Sequence, residues 1–228
     1  WKSDNSLLPE TLLRLGEGRD NQSNRLIVCV IVGLMQDHKD YRVMQRFGVE
    51  ALSKLAEAGL VFHGLIAASN HVIPSTVHVM QQDTSDTAIQ ERGCFLLSKL
   101  AEDFDCSEAI VVARGIPAVL AAVQNHYYCV DVQRHGCETL ANLFESCPSC
   151  CFCIANAGAI PAVENAMRRH LSDLGVQESG CRILYSLALE SESWKYQILQ
   201  TSSVSSIREA RSRFPYSPYI QQAALVIL

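Results

Sequence analysis

No stretch of this 228-residue chain stays apolar for long enough to cross a bilayer. The longest such run, Leu26 to Met35, has ten residues, where a spanning helix needs roughly 20. It lies too far from the start, with the wrong flanks, for a secretion signal, and is expected to be a fully buried helix. Also missing are a glycine-rich phosphate loop, a His-Glu-x-x-His pair and a Gly-x-Ser-x-Gly elbow. Nucleotide, zinc-hydrolase and serine-hydrolase chemistry therefore have no foothold, and neither an enzyme active site nor a cofactor is expected. Neither sign of charge dominates: 19 Lys and Arg against 24 Asp and Glu leave a net −5. That balance argues against general binding to nucleic acid or to an anionic membrane, although a local basic patch can override the total. An initiator Met is absent, and the apolar ending Ala224 to Leu228 carries no helix-stop signal. Both point to a segment of a longer protein.

What is present is apolar residue, 48% of the chain, enough for a long core. Cysteine is also plentiful, with ten residues. A secreted disulfide scaffold shows that density in a much shorter chain with a poor core. Here several Cys sit at equivalent positions of a repeat, which is a packing pattern, and the expected location is the reducing cytoplasm.

The repeat is marked by Gln at 45, 90, 133, 177 and 221, with spacings of 45, 43, 44 and 44. In the first four copies Gly follows three residues after the Gln, at 48, 93, 136 and 180, and Leu four and seven residues after the Gly. A period of about 44 residues belongs to the range of two- and three-helix solenoid units. Ile89, Gly93, Leu96, Leu97 and Leu100 follow one helical stripe. The interior Gly costs roughly 0.5–1 kcal/mol relative to Ala, so a closely approaching neighbour helix is expected there. Ala224 in the fifth copy fits a demand for smallness. Each unit reads as three helices. Gly115-Ile116-Pro117 and Gly158-Ala159-Ile160-Pro161 are expected to end the first helix in a left-handed glycine cap and to open the second with Pro in its first turn. Asn70 to Pro74 is a looser copy, and Gln200 to Val204 has lost both signals. The middle helices should end near Gln82, His126, His170 and Phe214, and the last helices should occupy about 43–56, 88–101, 131–144, 175–188 and 219–228. Gly16 to Ser23 reads as a loop, and residues 1–24 as an incomplete leading repeat. No linker breaks the period, so residues 1–228 read as one domain.

The motif Val-Gln-x-x-Gly-Cys-x-x-Leu-x-x-Leu, joined to Asn156-Ala157-Gly158-Ala159-Ile160-Pro161-Ala162-Val163, resembles the armadillo superfamily over roughly residues 24–228. The Gln-x-x-Gly-Cys flavour is similar to armadillo regions attached to some protein kinases, including the leucine-rich-repeat kinases. The resemblance implies an all-α fold: a right-handed α-solenoid of about five repeats with helices H1, H2 and H3, whose H3 helices line a concave groove. In the nuclear-import members a Trp and an Asn one turn later on H3 hold an extended basic peptide. The matching pairs here are Glu50/Lys54, Phe95/Lys99, Glu138/Asn142 and Arg182/Ser186. Only Asn142 matches, so an import receptor is not expected, and the groove should carry mixed charge.

Those eight residues form the candidate partner-binding strip. The bland alternative is solvated surface with weak i, i+4 pairing. Phe95 stands apart as a large aromatic, which invites a partner or burial by a neighbouring repeat. A second candidate is Cys147, Cys150, Cys151 and Cys153. Zinc needs about four ligands, with His126, Cys129 and His135 available to complete a set. Burial of two of the thiols in the core is the alternative. Cys94, Cys137 and Cys181 recur at one repeat position and read as core. His126 and His170 end H2 helices, where a cation suits the dipole, and Asp103/Asp105 and Glu190/Glu192 read as solvated turns. Tyr127, Tyr128, Trp194, Tyr196, Tyr216 and Tyr219 look exposed. The expected function is a protein-interaction scaffold or regulatory module binding a protein or peptide in the groove, without nucleic acid or membrane insertion. The alternatives are a regulatory segment of a larger signalling enzyme such as a protein kinase, and a zinc- or redox-sensing scaffold.

Overall fold

A computed structural model of the chain describes residues 21–57 and 71–228. Among the described residues there are thirteen α-helices and no strand. The first unit supplies α1 (Asn21–Asp37, H2) and α2 (Arg42–Glu57, H3), and the second α3 (Val72–Gln82, H2) and α4 (Thr87–Leu100, H3). The third has α5 (Phe104–Val112), α6 (Gly115–Asn125) and α7 (Val130–Ser146) as H1, H2 and H3. In the fourth a 3-10 turn (Pro148–Cys150) leads into α8 (Cys151–Asn156), α9 (Ala159–Arg169) and α10 (Leu174–Glu190). The fifth has α11 (Glu192–Leu199), α12 (Ser203–Arg213) and α13 (Pro218–Ile227). Each H3 lies along the next, α2 on α4, α4 on α7, α7 on α10 and α10 on α13, and the H2 helices stack in the same order. The result is an all-α solenoid whose core runs continuously between layers.

The marker residues hold the unit together. Gln45 Nε2 donates to the carbonyls of Met35 (2.7 Å) and His38 (2.8 Å). Gln90 does the same to Met80 and Asp83, Gln133 to Val123 and His126, and Gln177 to Met167 and His170. These carbonyls belong to the last turn of H2, where a helix leaves its acceptors without internal partners. One buried amide on H3 thus closes the end of H2 in each of four units. The Gly three residues later lets H3 lie against the same turn: a Cβ at 48, 93, 136 or 180 would overlap Met35, Met80, Val123 or Met167. In the fifth unit Arg211 stands where the others have Met or Val, and its long exposed side chain leaves room for Ala224. Gln221 there only accepts from Arg211 Nε (3.2 Å).

Three of the H3 starts are capped by side chains, whereas Cys129 at the start of α7 makes no such bond. Asp86 accepts from Ala88 and Ile89 N–H, Asp173 from Val176 and Ser217 from Ile220. Asp103, expected in a solvated turn, instead caps α5 through Cys106 N–H. Such caps are each worth about 1 kcal/mol.

Three local expectations change. α1 is buried on one face only: Val28, Ile31, Val32 and Met35 are inside, while Leu26, Val30 and Leu34 are exposed at 61%, 55% and 42%. The run is apolar all round, but α1 packs on α2 and α3 from one side. Asn21 to Ser23, expected in a loop, already belong to α1. The rest of that loop, and the leading repeat expected before it, lie outside the described residues. The left-handed cap is a glycine in only one copy. Aligned on Ile-Pro, the left-handed position is Gly158 (φ 90°) in the fourth unit and Arg114 (φ 61°) in the third. Gly115 is the first residue of α6 and is small because a Cβ would press on Ile110. The looser copy at His71 and the degenerate one at Ser202 have negative φ.

Candidate functional site: the H3 face

The sequence-derived strip falls on successive H3 helices, five and nine residues after each marker Gln. None of its residues is fully exposed, and all but Asn142, which is buried, are half-buried. Stacking brings the ninth residue of one unit to the fifth residue of the next. Lys99 Nζ thus meets Glu138 (3.3 Å) and its own neighbour Glu102 (3.3 Å). Asn142 Nδ2 donates to the Ser98 carbonyl (3.0 Å), and its Oδ1 accepts from Arg182 (2.9 Å). Arg182 also binds Glu145 and lies 5.3 Å from the Tyr219 ring. Lys54 meets no carboxylate ahead of it, because Phe95 occupies that place, so it turns back to Glu50 (3.2 Å). Phe95 packs edge-on against His135 at 5.0 Å. Ser186 sits at the end of the strip, with Tyr185 beside it accepting from Gln222 (2.8 Å).

This network sets the local electrostatics. A hydrogen bond from His135 holds the Glu138 carboxyl down at about 2; burial opposes it and the Lys99 ammonium adds to it. Burial disfavours the charged Lys99, yet Glu138 and Glu102 outweigh it and raise the ammonium above its usual value. The strip has mixed charge, and its polar groups are already matched to one another.

Sequence reasoning missed a second set of inter-unit contacts. His126 Nε2 donates to the Thr84 carbonyl (2.8 Å), and its Nδ1 lies 3.0 Å from Thr87 Oγ1. His170 Nε2 donates to the Tyr127 carbonyl (2.9 Å). Each His reaches back to the turn of the preceding unit, so position at the end of H2, rather than charge alone, explains these residues. At the junction of the first two units the same place holds Asp83, which cannot donate to a carbonyl and pairs with Arg42. A polar cleft of about 590 Å³ opens there, lined by Lys39, His78 and Gln82 among others. Ion pairs Arg134–Asp173 (2.6 Å) and Arg92–Glu57 (3.0 Å) also cross between units.

Of the cysteine cluster, Cys147, Cys150 and Cys151 are buried and Cys153 is exposed. Cys150 Sγ donates to the Cys147 carbonyl (2.6 Å). Burial pushes the Cys151 thiol up to about 11 and the Cys150 thiol higher still, opposite to what a reactive thiolate needs. His126, Cys129 and His135 are not brought to the cluster, and no group of three or more His, Cys, Asp or Glu among the described residues could hold a metal ion. Cys94, Cys137 and Cys181 are fully buried core residues, and burial pushes Cys137 and Cys181 up to about 12. Of the tyrosines, Tyr128 and Tyr216 are the most exposed, while Trp194 is half-buried against Phe152 (6.1 Å). No single helix among the described residues is long and apolar enough to cross a membrane.

Comparison with known proteins agrees with this architecture. No curated protein sequence matches the chain. It is similar in fold to an engineered protein from the Northeast Structural Genomics Consortium (TM-score 0.68, 15% identity, 96% of this chain and 98% of that one). It is also similar to the designed armadillo repeat protein YIII(Dq.V1)4CPAF in complex with peptide (KR)4 (TM-score 0.59, 10% identity, 97% and 98%). A second designed armadillo repeat protein, YIII(Dq)4CqI, aligns with TM-score 0.53, 12% identity and coverage of 97% and 100%. At these identities the likeness shows the fold. Residues 6–228 match the family described as the LRRK2 ARM repeat, and with nearly the whole chain matched, this protein belongs to that family.

Proposed function

We propose that residues 1–228 work as one domain, a protein-binding scaffold in the cytoplasm that receives an extended protein segment along its H3 face, without catalysis. The observation that carries this reading is the strip itself. Stacked H3 helices present half-exposed Glu50, Lys54, Phe95, Lys99, Glu138, Arg182 and Ser186, with Asn142 beneath them, and neighbours fix most of their side chains. A surface whose rotamers are already set loses less entropy on binding. A relative of the same fold was solved with a bound peptide, which supports peptide binding by the architecture. Family membership also supports the second reading, that the array is the regulatory segment of a larger signalling enzyme.

The test must spare the fold. Reversing Lys99 alone would leave three carboxylates together, because Glu102 and Glu138 are its partners. Exchanging both members of a pair, Glu50→Lys with Lys54→Glu and Lys99→Glu with Glu138→Lys, together with Glu102→Gln to remove the carboxylate beside position 99, keeps each Lys–Glu pair and inverts its polarity, at the loss of the His135–Glu138 contact. With a partner isolated on the wild-type array, the exchanged protein should keep its helicity and lose about tenfold or more in affinity. Unchanged affinity would place the partner on another face.

A further inference from the structure

The outer edge of the solenoid changes character along its length. The residue eight before each marker Gln lies at the end of H2, and it reads Asp37, Gln82, Asn125, Arg169 and Arg213 in successive units. The last turns of α1, α3 and α6 carry no basic residue, whereas those of α9 and α12 carry Arg168, Arg169, Arg211 and Arg213. With Arg208, the two helices hold five arginines and two glutamates in a chain of net −5. The helix dipole favours cations at these ends, but it acts equally on α3 and α6 and does not reach Arg208.

The pairing of these arginines is also unlike that elsewhere. Arg42, Arg92, Arg134 and Arg182 each bind a carboxylate of a neighbouring unit. On the edge only Arg213 has a carboxylate, the half-exposed Glu209 one turn away. Arg168 and Arg169 rest on the neutral amide of Asn165, and Arg211 on that of Gln221. Glu164, the other acid of these helices, is occupied by Ser202 and Ser203. All five arginines are exposed. Arg25, Arg46 and Arg114 also lack a carboxylate among the described residues, but each stands alone. Arg169 lies over the tyrosine pair, its guanidinium carbon 4.7 Å from the Tyr127 ring and 5.3 Å from the Tyr128 ring, and with Nε given to Asn165 its terminal N–H groups are left to donate.

We propose that this edge, the ends of α9 and α12 flanked by Tyr128 and Tyr216, binds an extended Asp/Glu-rich segment of a partner protein. Arg169 and Arg213 occupy equivalent places in adjacent layers, and stacked helices lie about 8–10 Å apart. Single charges at that interval match carboxylates on every third residue of an extended chain, at about 3.1–3.4 Å per residue. A phosphate, a concentrated dianion, would instead need several guanidiniums converging on one point. The chain's overall negative charge repels any polyanion at long range, most strongly the dense charge of nucleic acid or an anionic membrane.

The probe is a fluorescein-labelled (Glu-Pro-Ser)4 peptide, extended by its prolines, compared with (Gln-Pro-Ser)4 by anisotropy at low salt. The acidic peptide should bind at least about tenfold more tightly and weaken with added salt. Arg169→Glu/Arg213→Glu should remove about tenfold or more of that binding, and Arg169→Gln/Arg213→Gln a smaller part. Arg25→Glu/Arg46→Glu, the same charge change elsewhere, should leave affinity within about twofold, since screening confines the effect to near charges. The paired exchanges on the H3 face should also leave it unaltered, which separates this edge from the groove. Equal binding of the two peptides would overturn the proposal, as would equal loss in the Arg25/Arg46 variant. So would a single-stranded DNA oligomer or phosphatidylserine vesicles outcompeting the peptide at Arg169 and Arg213.

Discussion

The H3 face and the α9–α12 edge are both charged, yet they differ in what their charges do. On the H3 face nearly every polar group has a partner inside the protein: Lys99 with Glu138, Asn142 with Ser98 and Arg182, Lys54 with Glu50. On the edge four of five arginines meet only neutral amides or no carboxylate at all. The first pattern builds and stiffens the solenoid. The second leaves charge unanswered at an exposed site. A ligand on the H3 face therefore gains from a preset surface, and one on the edge gains from charges it alone can match.

Several substitutions sharpen or break this contrast. The largest effect belongs to the buried clamp. Gln177→Leu leaves the Met167 and His170 carbonyls without their donor and should cost about 2–3 kcal/mol in denaturant unfolding. Gln221→Leu, where the clamp is already lost, should stay within about 0.5 kcal/mol. Next is Asn142→Leu, which removes one bond to backbone and one to Arg182. A loss of about 1–3 kcal/mol is expected, and a neutral result would mean that the H3 face does not hold itself together. Smaller and of opposite sign is Arg114→Gly. Relief of the left-handed backbone at φ 61°, less the added freedom of the unfolded chain, should raise stability by about 0.5 kcal/mol.

A further effect shows only on the acid limb of stability. Glu138 sits at about 2 in the folded protein, below the ordinary carboxylate value of 4.5. Its contribution is thus full above pH 4.5 and fades as pH falls toward 2, where the folded carboxylate takes up its proton. Glu138→Gln should flatten melting temperature against pH in that window and leave the neutral-to-alkaline limb in shape.

Much of the fold could be read from the chain because the clamp is periodic. One Gln and one Gly every 44 or so residues mark the place where H3 lies on H2, and Ala224 stands in the one unit where exposed Arg211 replaces the Met or Val that the glycine meets elsewhere. The strip residues were also visible, as positions five and nine after the Gln. Their mutual satisfaction was not, since it depends on the stagger that sets Lys99 opposite Glu138 and Asn142 opposite Arg182. His126 and His170 were missed as staples because they bond backbone carbonyls, which leave no mark in a sequence. Arg114 was missed because the two Gly-Ile-Pro-like segments were matched on glycine, whereas Ile-Pro fixes the register of the helix start. The exposed face of α1 was missed because composition reports how apolar a helix is, and packing decides how much of it is covered.

The central claim, that the H3 face is internally matched and the edge is not, is tested most directly by two double-mutant cycles. One pairs Arg182→Ala with Asn142→Ala, and the other pairs Arg168→Ala with Glu164→Ala, an i, i+4 couple whose acid is engaged by serines. Each cycle cancels the helix-dipole and burial contributions of the single changes. The first should give a coupling of about 1 kcal/mol or more, and the second none beyond roughly 0.3 kcal/mol. Equal coupling in both cycles, or none in the first, would contradict the account.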